Sequence, residues 1–268
     1  MAEAYHPGPV PEEVLEYFRA KGWKIGFDYR DVWQAEHAHA FTVAKVTELD
    51  LLEDIREAVD QAMENGETFA RFRKQLEPLL REKGWWGIKE MTDPVTGETV
   101  AARLGSPRRL KTIYRVNMKT ARAAGQWDRA QRTKAVRPYL LYSLGPSRVH
   151  RKKHLAWNQL LLPIDHDFWL THYPPNGWGC KCRVRQISKT EAKRLGGVSE
   201  EPVIRMRKWK NKRTGETQYV PQGIDPGWDY NPGTGRGKNL SGLLEERYKT
   251  AHPADADAAK REWNRDSE

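Results

Sequence analysis

The chain has 268 residues, 38% hydrophobic and 31% charged, enough apolar content for one or two domains with a real core beneath a large wetted surface. No apolar run approaches the roughly 18–20 residues of a membrane span. The opening "MAEAYHPGPVPEEV" lacks the basic and apolar regions of a secretory leader, and two cysteines cannot build a disulfide framework. The net charge of +10 hides an asymmetry: residues 1–100 carry −8, residues 101–220 carry +20 and residues 221–268 carry −2. An acidic head and a basic middle look to different partners.

In chain order, "PEEVLEYFRAKG" predicts a helix entered at Pro11 and stopped by Gly22. A second helix is expected in "RDVWQAEHAHAFTVAKV", where His37 and His39, two apart, face different sides and read as surface or packing residues. "DLLEDIREAVDQAMENG" carries apolar residues at helical spacing and ends at Gly66, and "TFARFRKQLEPLLREKG" follows with Thr68 as N-cap. "GWWGIKEMTDPVTGETVAARLG" then predicts two short extended pieces about an Asp93–Gly97 turn.

The strongest pattern is "SPRRLKTIYRVNMKTARAAGQWDRAQRTKAV", a long helix capped by Ser106 with Pro107 at its first position. At 100° per residue, Arg108, Lys111, Arg115, Lys119, Arg122 and Arg129 fall within an arc of about 80°. Leu110, Ile113, Tyr114, Ala121 and Ala124 lie opposite, so one face predicts core and the other a cationic stripe suited to phosphates. Such a stripe positions a nucleic-acid backbone without reading bases. Short strands are expected at "RPYLLYSLGPS" and "CRVRQIS", and a basic hairpin in 201–222 with its turn at Thr214-Gly215. Residues 221–240 are rich in Gly and Pro and predict irregular structure before a short polar C-terminal helix.

Taken in order, "GWWG", "DPVTGE", "GSPRRLKTIYRVNMKTARAAGQW", "LGPSRVHRKKHLAW", "LPIDHDFWLTHYPPNGWGCKCRV" and "DPGWDYNPG" resemble the F-like minor head proteins of bacteriophage Mu, a phage head-morphogenesis family. The resemblance covers roughly residues 10–235. It implies a minor capsid protein that assembles with the portal at one vertex of the prohead in the host cytoplasm, contacts packaged DNA and stays in the virion. Activities housed in the longer C-terminal regions of many relatives do not carry over.

"THYPPNGWGCKCRVRQIS" holds both cysteines, Cys180 and Cys182, one residue apart. A disulfide between them would be strained. Zinc needs four N or S ligands near a tetrahedron. The thiols supply two, and His154, in the family-like R-x-x-H position, with His150 or His172 would complete the set. The alternative is a metal-free turn with two small buried residues. Asp165, His166, Asp167 and His172 can be drawn as a hydrolytic metal cluster, but no His-Glu-x-x-His, Walker A or G-x-S-x-G pattern accompanies them.

These readings define an α+β protein with a helical acidic arm (1–83), a compact basic module with short hairpins and one long amphipathic helix (84–220), and an irregular tail (221–268). The expected role is a non-enzymatic minor head protein, with structural zinc as its candidate cofactor. Its expected partners are the portal, the major capsid or scaffold protein, and DNA without sequence preference. Trp33, Phe41 and Leu51 are candidate apolar anchors of the docking arm. A stand-alone nucleic-acid-binding module and a metal-dependent nuclease are the rival readings.

Overall fold

Start and stop signals in the sequence place most of the helices. The computed structural model describes residues 10–32, 34–213 and 215–235. Helix α1 (Glu12–Arg19) starts after Pro11, with Glu12 and Glu13 in the first turn where carboxylates favour the helix dipole.

The stretch 30–46 departs from the expected helix. After strand β1 (Gly22–Trp23) comes a 3-10 turn, Tyr29–Asp31, then a single helical turn, α2 (Glu36–His39). Strand β2 (Ala40–Phe41) pairs parallel with β1. The cause is local side-chain competition for backbone groups. Asp31 Oδ2 accepts the Phe27 and Asp28 N–H groups at 2.8 Å each, and Asp28 Oδ1 accepts that of Arg30 at 3.0 Å.

Helices α3 (Leu49–Glu64) and α4 (Phe69–Glu82) form as expected. Thr68 caps α4 by accepting the Arg71 N–H, and Gly66 takes the left-handed conformation (φ 62°) that ends the preceding helix. Strands β3 (Ile88–Thr92) and β4 (Thr99–Arg103) make the hairpin over Asp93–Glu98. Helix α5 (Pro107–Arg132) is capped by Ser106, whose Oγ accepts the Arg109 N–H at 3.2 Å.

Beyond α5, strand β5 (Tyr139–Ser143) is central in a three-stranded antiparallel sheet, flanked by β6 (Leu161–Pro163) and β7 (Arg183–Ile187). Short helices α6 (Lys152–Ala156) and α7 (Phe168–His172) lie between these strands, and α8 (Lys189–Arg194) follows them. The last hairpin is β8 (Met206–Lys210) with β9 (Thr217–Pro221). The architecture is α+β, as the sequence predicts. The expected polar C-terminal helix and Trp33 lie outside the described residues. Phe41 and Leu51 are not docking anchors, because both are buried in the protein's own core at 1% and 3% exposure.

Two cores meet along α5. The first joins α1, α3 and α4, through residues such as Phe18, Ile55 and Phe72, to Leu110 and Ala121 of α5. The second packs Ala123, Trp127 and Ala130 of the same helix against Tyr142, Phe168, Tyr173 and both cysteines. At the far side, the buried guanidinium of Arg213 pairs with Asp31 and Asp93, tying the last hairpin to the 3-10 turn and the first hairpin.

Gly125 marks the closest approach of α1 to α5. A Cβ there would lie 2.7 Å from Val14 Cγ2 and 3.2 Å from its backbone nitrogen. Gly125→Leu should therefore push α1 off α5 and cost roughly 1–3 kcal/mol of stability, the usual range for overpacking. Urea unfolding measures it, and an unchanged midpoint would show that this contact is not tight.

Candidate metal centre and basic surface

Helix α6 turns His154 inward, and the Pro-Pro-Asn-Gly turn delivers both cysteines to the same point. His154 Nδ1 lies 3.4 Å from Cys182 Sγ and 4.0 Å from Cys180 Sγ. The three ligand atoms lie within 4.8 Å of one another, and all three residues are buried. On its far side the ring is fixed by Gly223, whose carbonyl is 2.9 Å from Nε2. Only a protonated Nε2 satisfies a carbonyl, so the Nδ1 lone pair faces the sulfurs. Metal-ligating histidines are commonly oriented through the second nitrogen in this way.

A hydrogen bond from Cys182 holds the Cys180 thiol down to about 3 against the opposing effect of burial, helped by the Asn176 backbone and the nearby Lys119 ammonium. Cys182 is pushed up by that same bond and by burial. A soft divalent cation would bind both sulfurs as thiolates and release their protons. Beneath them Tyr142 donates its hydroxyl to Asn176 Oδ1 at 3.0 Å.

An ionic clamp that spacing did not reveal holds the turn. Arg151 Nη2 donates to Asp225 Oδ2 at 2.8 Å and to the Trp178 carbonyl at 3.1 Å. The Trp178 N–H donates to the same Asp225 oxygen at 2.8 Å, and the Asp225 N–H reaches the Asn176 carbonyl at 3.1 Å. A Cβ on Gly177 (φ 152°) would sit 2.3 Å from Asp225 Oδ2, so only glycine fits. Arg151 and Asp225 belong to two of the family-like motifs, which was the one available signal for them.

Three of the five expected ligands converge. His150 is half-buried and outside the group. The His172 ring stacks on Phe168 with centroids 4.3 Å apart, meets Trp157 edge-on at 4.9 Å, and its Nδ1 bonds Thr171 Oγ1 at 2.8 Å. Asp165 pairs with Lys134 at 3.2 Å and His166 Nδ1 accepts the Phe168 N–H at 3.1 Å, so the drawn hydrolytic cluster disperses. Among the described residues, His154, Cys180 and Cys182 form the one such group able to hold a metal ion.

The cationic stripe divides as well. Arg108, Lys111, Arg115 and Arg122 are exposed on α5. Lys119 instead turns inward and donates to the Cys180 carbonyl, and burial lowers its pKa. Arg129 lies 3.5 Å from Glu13 of α1, with Arg132 on the same carboxylate at 2.7 Å.

Burial lowers the His172 imidazole to about 4, and His37 to the same value. A histidine depressed in the folded state contributes stability that is complete above its unfolded pKa of about 6.5 and lost as pH falls toward the folded value. His172→Phe should therefore remove about 2 kcal/mol from the stability difference between about pH 7.5 and about pH 5. Urea unfolding at the two pH values reads this, and an equal drop in the variant would assign the dependence elsewhere.

Fold and site together define a class: an α+β module organised about one long two-faced helix and a clamped His/Cys turn. The family described as Phage Mu protein F like protein matches residues 53–185, and over that stretch the chain belongs to it. It is 39% identical over 246 residues to the "Putative capsid assembly protein F" of Escherichia phage Mu, covering 86% of this chain and 56% of that protein. It is 36% identical over 230 residues to the Mu-like prophage FluMu F protein of Haemophilus influenzae, covering 78% and 53%. The chain thus spans just over half the length of these relatives. No solved structure matches it.

Proposed function

We propose that this chain is a structural protein of phage head assembly that acts at the portal vertex in the host cytoplasm and remains in the virion against the packaged DNA. The likeness to the phage Mu relative over 86% of the chain carries this reading. The matched family stretch also contains Arg151, His154, Cys180 and Cys182, the residues that build and clamp the turn. The −8 charge of residues 1–100 supports docking on the portal and on the major capsid or scaffold protein. The four exposed cations of the α5 stripe, Arg108, Lys111, Arg115 and Arg122, support contact with DNA phosphates without base readout. Labelled chain should co-purify with proheads and map by particle reconstruction to the single portal-bearing vertex. Its absence from heads, or its spread over all vertices, would overturn the reading.

The donor set fits three of the four positions of a tetrahedral zinc site, with two sulfurs and one imidazole nitrogen, all buried, and among the described residues no fourth side-chain ligand joins them. When bound, zinc would cross-link α6 to the turn and replace the thiol protons; its role in this reading is structural. Metal analysis of protein purified without chelator should give close to one equivalent, and Cys182→Ser should release it. Structural zinc contributes on the order of 10 kcal/mol of binding free energy, so the variant should melt many degrees lower. Metal-free wild-type protein with an unshifted melt on zinc addition would leave the turn as a hydrogen-bonded one.

A further inference from the structure

We infer that the outer face of the β8–β9 hairpin binds single-stranded nucleic acid, with Lys208 and Lys210 on phosphates and Tyr219 stacked on a base. The inference rests on the DNA-contact reading above but uses a different element. The hairpin alternates from Met206 to Lys210 and from Thr217 to Val220, and Pro221 at its base is buried. Met206, Lys208 and Lys210 on one strand, and Thr217 and Tyr219 on the other, are exposed, while Arg207, Trp209, Gln218 and Val220 turn toward the protein. In the register Lys208 faces Tyr219 and Lys210 faces Thr217, so both lysines and the tyrosine share one face. The Lys208 ammonium lies 6.0 Å from the Tyr219 ring centre, and that ring is 59% exposed.

The cations of this segment are sorted by direction. Inward, Arg207 donates to the Ile224 carbonyl at 3.2 Å and Arg213 is held by Asp31 and Asp93. Outward, Arg205, Lys208, Lys210 and Lys212 have no carboxylate partner among the described residues. The acidic residue of the stretch, Glu216, lies in the turn and off the strand face. The inward cations thus serve the fold, and the outward ones leave an uncompensated positive ribbon. Its two lysines stand about 7 Å apart along the strand. A ring exposed among them contributes little to the core. Cations along a groove or ridge with an exposed aromatic face are the recurring means of holding a single strand regardless of sequence. An acidic protein surface would use the charges but not the ring.

Fluorescence anisotropy of the full chain with labelled oligothymidylate, as a function of salt, tests this. Lys208→Gln/Lys210→Gln should lower the salt slope of log K by about 1.4, at about 0.7 per lost single-strand phosphate contact. Tyr219→Ala should weaken binding about fivefold or more with the slope unchanged, the signature of a lost stack. Arg115→Gln/Arg122→Gln on α5 is the comparison, and circular dichroism melts should be unchanged for all three variants. Binding by wild type that the ribbon variants leave intact, while the α5 variant weakens it, overturns this inference alone. Polyglutamate competing as well as oligothymidylate at equal charge would overturn it in favour of an acidic protein partner. Wild type that binds no DNA would overturn the reading beneath it as well.

Discussion

One helix has to satisfy two cores at once, and most of the molecule is arranged around that constraint. Helix α5 has 26 residues, about 39 Å of rigid rod. The acidic helices bury one side of it, from Leu110 to Ala124, and the sheet and the thiol turn pack on Ala123, Trp127 and Ala130. Gly125 lets α1 sit against it, and Glu13 then reaches Arg129 and Arg132. From the same rod, Gln126 donates to the Val184 carbonyl at 2.8 Å and Lys119 to that of Cys180. The position of the cysteines is therefore set by the helix as much as by their own turn.

That turn has little regular structure, so its backbone groups need other partners. Arg151 and Asp225 supply them. Four hydrogen bonds join α6, the Asn176–Trp178 backbone and the Asp225 segment into a closed circuit around Gly177. Burying a histidine and two thiols in such a frame is costly unless their polar atoms are matched. The contacts of both sulfurs with His154 Nδ1 and of its Nε2 with the Gly223 carbonyl match them in one way, and a bound cation would match them in another. Both states need the clamp, which explains why the arginine of R-x-x-H and the aspartate of D-P-G-W belong to the same assembly as the ligands.

Much of this was legible in the sequence, and the failures have physical causes. Caps and stops are local chemistry, so Pro11, Thr68 and Ser106 mark the helix starts where they occur. The 30–46 stretch was misread because its alanines and histidines suit a helix, whereas two aspartates satisfy the backbone in a tighter turn. On α5 the period gives the angle of each cation about the axis but not what covers it along the axis. Lys119 and Arg129 share the arc of Arg115, yet the thiol turn covers one and α1 the other. Spacing likewise offered His150 and His172 as equals of His154. Stacking on Phe168 removes His172, and a clamp spanning residues 151 and 225 is invisible to any local pattern.

Charge separates what the fold uses from what it leaves over. Between residues 101 and 220 there are 27 cationic side chains against 7 acidic ones, so intramolecular pairing cannot neutralise the segment. The fold uses part of these cations: Lys119 and Arg207 on carbonyls, Arg129 and Arg132 on Glu13, Arg213 on two aspartates. Of the others, Arg108, Lys111, Arg115 and Arg122 are exposed on α5, and Arg205, Lys208, Lys210 and Lys212 are exposed on or beside the last hairpin. Unmatched like charge repels itself and weakens the compact state, so these surfaces detract from the free protein's stability. Their cost is recovered when a polyanion arrives and its counterions are released. Among the described residues, the acidic head meets the cations of α5 at one end, where Glu13 takes Arg129 and Arg132.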